Sequence, residues 1–145
     1  MQDSDNLRHS VIKAARMCIG TPFVHQGRVP GKGLDCVGLV RWPHVALGFG
    51  QEDERKYGMN PDPKRMKKLL EQYLLPIPRD DLRPADIIWF RIDGMPTHLA
   101  LFAGRTIIHA LNSGPCRVVE HGFRYPWTQR VAGTFRYKWL AELDD

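Results

Sequence analysis

The apolar pattern of this chain changes at Pro76-Ile77-Pro78 from helical spacing to strand alternation, and that change constrains the fold more than any other feature. Upstream of it, apolar residues recur at three- and four-residue steps. Leu7, Val11, Ala14, Ala15 and Cys18 form one stripe of a predicted helix from Ser4 to Ile19. Asp3, Ser4 or Asp5 is its expected cap, and Gly20-Thr21-Pro22 its stop. A second helix begins at Asp35-Cys36, and Pro43 is expected to kink or end it by removing a donor and crowding the preceding turn. Asp62 caps a third, Pro63 fits its first position, and Met66, Leu69, Leu70, Tyr73 and Leu74 make its buried face. Downstream, five strands are expected: Asp86 to Ile92, Thr97 to Ala103, Thr106 to Ala110, Cys116 to His121, and Arg130 to Tyr137. Helices first and strands afterwards specify an α+β fold with an antiparallel sheet. No internal repeat or low-complexity linker divides the chain, so residues 1–145 read as a single domain.

Composition narrows the function classes. With 43% hydrophobic and 26% charged residues, global disorder is excluded. No apolar run approaches the roughly 18–20 residues that span a membrane, so no membrane insertion is expected. The start, Met1-Gln2-Asp3-Ser4-Asp5, has no apolar stretch of the kind a secretory signal needs, which implies synthesis in the cytoplasm. The three cysteines form no C-x-x-C pair, so neither a disulfide framework nor a zinc ribbon is expected. Cys18, in the first helix, and Cys116, in a strand, read as packed or idle thiols. A net charge of +5 favours acidic partners. Nucleic acid is not the expected one: Lys64-Arg65-Met66-Lys67-Lys68 reads as the solvated side of a helix around a buried Met66. Gly31-Lys32-Gly33 is too short for a phosphate loop. No metal or cofactor is expected.

The chemistry-bearing segment is Leu34-Asp35-Cys36-Val37-Gly38-Leu39-Val40, which follows a Gly- and Pro-rich loop from Gln26 to Gly33. A thiol at a helix N-terminus feels unpaired N–H groups, which favour thiolate, the nucleophilic form. Two histidines are candidate partners. A two-residue hairpin loop at Gly104-Arg105 pairs Ala103 with Thr106, and therefore Ala100 with His109 and His98 with Leu111. His98 and His109 then share a face as diagonal neighbours, about 7–8 Å apart at Cα. A loop one residue longer would put them on opposite faces. On this arrangement Cys36 is the nucleophile, His98 the base, and His109 the residue that orients His98. Backbone N–H groups at the start of the Cys36 helix would stabilise an oxyanion. Blander readings stand beside this one. A lone Cys before an apolar run is more often a packed small side chain, and His109, within Ile107-Ile108-His109-Ala110, is equally a satisfied core histidine. His25 lies in the loop before Cys36 and could line a cleft. His9, His44 and His121 show no partner pattern.

Three ordered blocks make the chain resemble the NlpC-type cell-wall peptidases, a papain-like family of cysteine hydrolases. Gly20-Thr21-Pro22-Phe23 through Leu34-Asp35-Cys36-Val37-Gly38-Leu39-Val40 is similar to that family's G-x-P-Y…D-C-S-G-L-V. Leu82-Arg83-Pro84-Ala85-Asp86-Ile87-Ile88-Trp89-Phe90 and His98-Leu99-Ala100-Leu101-Phe102-Ala103-Gly104 are similar to L-x-P-G-D-L-v-x-F and H-V-G-I-Y-x-G. Ile107-Ile108-His109-Ala110 is similar to its I-H-A. The resemblance implies N-terminal helices on a five- to six-stranded antiparallel sheet or half-barrel, with Cys36, His98 and His109 catalytic. It implies cleavage of an amide in peptidoglycan stem peptides, commonly between D-glutamate and a diamino acid. The loop from His25 to Gly33 resembles the phage-tail and prophage subgroup, implying phage tail proteins as partners and a phage particle as the route to the wall. Phe23, His25, Asp35 and Val37 are the candidate substrate- and oxyanion-side residues. Phe23 stands where the family has Tyr, so either another group, with His25 a candidate, replaces that hydroxyl or activity is reduced, and Val37 stands in place of its Ser. A papain-like thiol acyltransferase and a catalytically degenerate structural tail component are the alternatives.

Overall fold

The computed structural model describes residues 2–59 and 61–144. In chain order the elements are α1 (Gln2–Arg16), β1 (Arg28–Val29), β2 (Gly33–Leu34), α2 (Cys36–Ala46), α3 (Pro63–Tyr73), β3 (Leu74–Pro76), β4 (Ile87–Ile92), β5 (Met95–Phe102), β6 (Thr106–Ala110), β7 (Val118–Gly122), β8 (Val131–Tyr137) and α4 (Lys138–Asp144). Six strands form one antiparallel sheet in the order β3-β8-β4-β5-β6-β7, and β1 and β2 make a separate two-stranded ribbon. The architecture is the α+β arrangement expected from the switch at Pro76-Ile77-Pro78.

The apolar run Ile87-Ile88-Trp89-Phe90 is continuous because both faces of β4 are covered. Ile87 and Trp89 join Val11, Ala15, Leu39, Leu101 and Ile108 in the core under the helices. Ile88 and Phe90 join Ala100, Phe102 and Ile107 on the opposite face, roofed by Phe123, Trp127 and Val131. This two-sided burial matters for the site, because His98 and His109 alternate with core residues and so lie on the roofed face.

Several boundaries differ from expectation. α1 starts earlier, so Asp3 and Asp5 sit inside its first turn, where they favour the positive helix end, and do not cap it. Cys18 lies just beyond the helix, fully buried. Pro43 does not end α2, because its missing donor falls in the last turn and Leu47 N–H closes onto Pro43 O at 3.0 Å. Asp62 and Pro63 start α3 as expected, with Asp62 accepting from Lys64 N–H. Cys116 is exposed in a turn at φ 52°, ahead of β7 and outside it. The ribbon β1–β2, strand β3 and helix α4 are elements that periodicity did not reveal. Among the described residues, no helix is long and apolar enough to cross a membrane.

One buried carboxylate ties these layers together. Asp86 is fully buried and accepts from Arg8 Nη1 at 3.2 Å, Arg136 Nε at 2.9 Å, Arg136 Nη2 at 2.8 Å and Arg83 N–H at 2.8 Å. Arg8 also reaches Asp144 at 2.5 Å, so the cluster joins α1, the entry to β4, β8 and α4.

Candidate active site

The loop before Cys36 is held by the carboxylate of Asp35. Its Oδ1 accepts from Gly38 N–H at 2.8 Å, capping α2, and from Arg28 Nη1 at 2.9 Å. Its Oδ2 accepts from Gln26 N–H at 2.9 Å and the Tyr57 hydroxyl at 2.5 Å. Arg28 in turn donates to Asp53 at 2.9 Å and to the Tyr57 oxygen at 2.7 Å. Asp35 is therefore committed to fixing the loop and the helix start, and burial with this donation pushes the Tyr57 phenol well above its usual range. Gly38 is required by close approach: a Cβ there would lie 2.1 Å from Gly27 O. Neither Arg28 nor Tyr57 was flagged by the sequence, since both lie where no periodicity marks a role.

Cys36 opens α2 and is half-buried. Burial, with the negative charge of Asp35 beside it, raises its thiol to about 12 against the lowering effect of the Leu99 and Val37 backbone N–H groups. The expectation of a resting thiolate is thus reversed, because desolvation outweighs the helix end. The Leu99 contact locates the thiol. β5 and β6 pair only at Leu101–Ile108 and Phe102–Ile107, so their ladder opens on the side where Leu99 N–H meets the sulfur.

The two-residue turn forms as expected. Gly104 has φ 101°, and Ala103 N–H donates to Thr106 O at 2.9 Å. His98 and His109 consequently share a face and are hydrogen-bonded, Nε2 to Nδ1, at 2.7 Å. His121 extends the series: its Nε2 lies 2.8 Å from His109 Nε2, and its Nδ1 lies 3.1 Å from Gly122 O. Sequence spacing shows no partner for His121 or for His44, yet His44 accepts from Trp139 Nε1 at 2.9 Å. Trp127 packs across the three rings, 4.8 Å from His109, 5.7 Å from His121 and 6.0 Å from His98 between ring centres. Among the described residues no side-chain hydrogen bond joins Cys36 directly to His98. With His98 Nε2 engaged by His109, Nδ1 is the nitrogen left for the thiol.

Burial lowers His98 to about 4, and burial with its two imidazole neighbours lowers His109 to about 2. Both rings are neutral at ordinary pH. A base whose folded value is depressed stabilises the fold fully above its unfolded value near 6.5, and loses that contribution as pH falls below it. His109 alone should therefore cost about 2 kcal/mol of stability between pH 7.5 and pH 5. Urea unfolding at the two values measures this.

Of the other candidates, Phe23 is half-buried, packs on the core and donates its N–H to Cys116 O at 2.8 Å; its side chain brings no donor. His25 packs edge-on to Tyr57, 5.7 Å between ring centres. Val37 and Leu99 help line a cavity of about 360 Å³ between α2, α3, the 49–57 segment and the start of α4. Among the described residues no group of three or more His, Cys, Asp and Glu side chains could hold a metal ion.

The model of the NlpC/P60 family matches residues 20–136, which include every residue of this site. The chain belongs to the NlpC/P60 family. A Mycobacterium tuberculosis protein named as a probable endopeptidase is 29% identical over 114 residues, covering 77% of this chain and 26% of that protein. The chain thus spans about a quarter of the length of that relative. Among solved structures, an NlpC/P60 family protein from Bacillus cereus aligns with a TM-score of 0.67 at 21% identity, over 90% of this chain and 40% of that one. RipD from Mycobacterium tuberculosis, a non-catalytic NlpC/p60 domain protein adapted to peptidoglycan binding, aligns with a TM-score of 0.59 at 17% identity, over 91% and 97%. These structural likenesses establish the papain-like fold of NlpC/P60 proteins. The family so matched includes relatives named as probable endopeptidases as well as the non-catalytic RipD.

Proposed function

We propose that this protein is a cysteine peptidase that hydrolyses an amide bond in peptidoglycan stem peptides. The observation that carries the reading is the 2.7 Å bond between His98 and His109 at the open end of the β5–β6 ladder, beside the thiol at the start of α2. Cys36 and His98 rest as a neutral pair, so proton transfer to His98 Nδ1 accompanies attack of the sulfur on the carbonyl. His109 holds the His98 ring. The N–H groups of Val37 and Leu99, already directed at the sulfur, are placed to steady the oxyanion. The protonated His98 then gives its proton to the leaving amine, and water releases the acyl group from sulfur. The bond between D-glutamate and a diamino acid is the proposed target, on the strength of the motif resemblance. The His25–Gly33 loop supports a phage or prophage tail as the carrier.

A second reading is a catalytically degenerate domain that binds the wall without cutting it. The raised thiol, Phe23 in place of a hydroxyl-bearing side chain, and the non-catalytic RipD favour it. Incubation with a defined disaccharide-tetrapeptide separates the two. New free amino groups are expected from a peptidase, and retention of intact substrate on the protein from a binding domain. Added amine acceptors would be incorporated if the site transfers acyl groups.

A further inference from the structure

His121 is the end of a hydrogen-bonded series that the three proposed catalytic residues do not account for. Its contacts determine which nitrogen of each ring carries a proton. Gly122 O only accepts, so His121 Nδ1, 3.1 Å away, carries hydrogen and donates. In neutral His121 the lone pair is then on Nε2, which faces His109 Nε2 at 2.8 Å; that bond requires His109 to donate from Nε2. Neutral His109, fully buried, is left with a bare Nδ1, which accepts from His98 Nε2–H at 2.7 Å. His98 is left with its lone pair on Nδ1. No other arrangement of three neutral rings satisfies all three contacts.

We propose that His121 is a positioning residue that, through His109, holds His98 in the tautomer whose Nδ1 is free to take the Cys36 proton. The proposal rests on the peptidase reading for its consequence in turnover, but its geometry is independent of substrate. The mechanism is one of hydrogen-bond accounting. Without an acceptor at position 121, His109 Nε2–H would be buried and unsatisfied. His109 escapes that by moving its proton to Nδ1 and donating to His98 Nε2, which forces the His98 proton onto Nδ1 and removes the base. The neighbouring geometry helps: β6 and β7 pair His121 with Ile107 and His109 with Val119, which sets the two imidazoles diagonally on the roofed face. Trp127 closes over them, so water is poorly placed to substitute for the missing acceptor.

The test compares His121→Phe, which removes the acceptor, with His121→Gln, whose amide oxygen can replace it. Long-range proton–nitrogen NMR of ring-labelled protein reads the His98 tautomer without substrate. Wild type and His121→Gln should show hydrogen on His98 Nε2, and His121→Phe should show it largely on Nδ1. In the peptide-release assay kcat should fall about tenfold in His121→Phe, the effect of orphaning one buried N–H, with KM unchanged and with recovery in His121→Gln. Hydrogen on His98 Nδ1 in the wild type, or an unchanged tautomer in a folded His121→Phe, overturns the proposal. Should His121→Phe not fold, a His121→Gln protein whose His98 tautomer is reversed does the same. A wild-type His98 with hydrogen on Nε2 in a protein that cleaves nothing would retain this inference and remove the peptidase reading instead.

Discussion

Cys36→Ala should lose stem-peptide hydrolysis by at least about 10⁴-fold, the scale on which removal of a covalent nucleophile acts. The loss should come without unfolding. Cys36 is half-buried, and the cap that starts α2 is made by Asp35 and Gly38 N–H, neither of which uses the sulfur. Its thermal midpoint should therefore stay close to that of the wild type, since no buried network is broken. His98→Ala should approach the same activity loss. Because burial and Asp35 raise the thiol, its ionisation depends on transfer to an adjacent base. Turnover retained by Cys36→Ala would remove the nucleophile assignment.

The largest stability effect is expected at Asp86. Asp86→Ala should cost about 3–5 kcal/mol, because it leaves buried guanidinium groups without their counter-charge. Arg8 and Arg136 are each 5% exposed, so neither can turn to water without disturbing α1 or β8. Asp81 and Asp144 remain near Arg136, at 3.3 and 3.5 Å, and limit the damage. Equilibrium urea unfolding should show the midpoint shift with an unchanged slope. A loss below about 1 kcal/mol would mean that Asp81 and Asp144 suffice.

What the sequence made legible follows from where the physical signals are local. The Gly104-Arg105 turn sets the β5–β6 register with two residues, which puts His98 and His109 on one face, although the ladder stops at Leu101–Ile108 and the expected pairs Ala100–His109 and His98–Leu111 do not form. Asp62-Pro63 similarly places α3. His121 is less legible because its register depends on the 111–117 connection, whose turn residues Asn112-Ser113-Gly114-Pro115 sit in a loop too long to fix pairing by turn type alone. Arg28 and Tyr57 converge on Asp35 from a two-residue strand and an irregular segment, neither long enough to carry a periodic pattern; they lie 7 and 22 positions from it in sequence. The state of the Cys36 thiol is hidden for a different reason. A helix N-terminus is visible in sequence, whereas the desolvation that opposes it depends on how the whole chain closes around the sulfur. Phe23 is a departure from the family pattern, and the hydroxyl of Tyr57 is engaged by Asp35 and Arg28.

Mass spectrometry of a defined muropeptide in water enriched in oxygen-18 reads whether Cys36 carries out hydrolysis of a wall-peptide amide. Two fragments are expected from the wild type, with one heavy oxygen in the new carboxylate, and none from Cys36→Ala. An intact substrate after incubation with the folded wild type, or the same fragments from Cys36→Ala, would contradict that role.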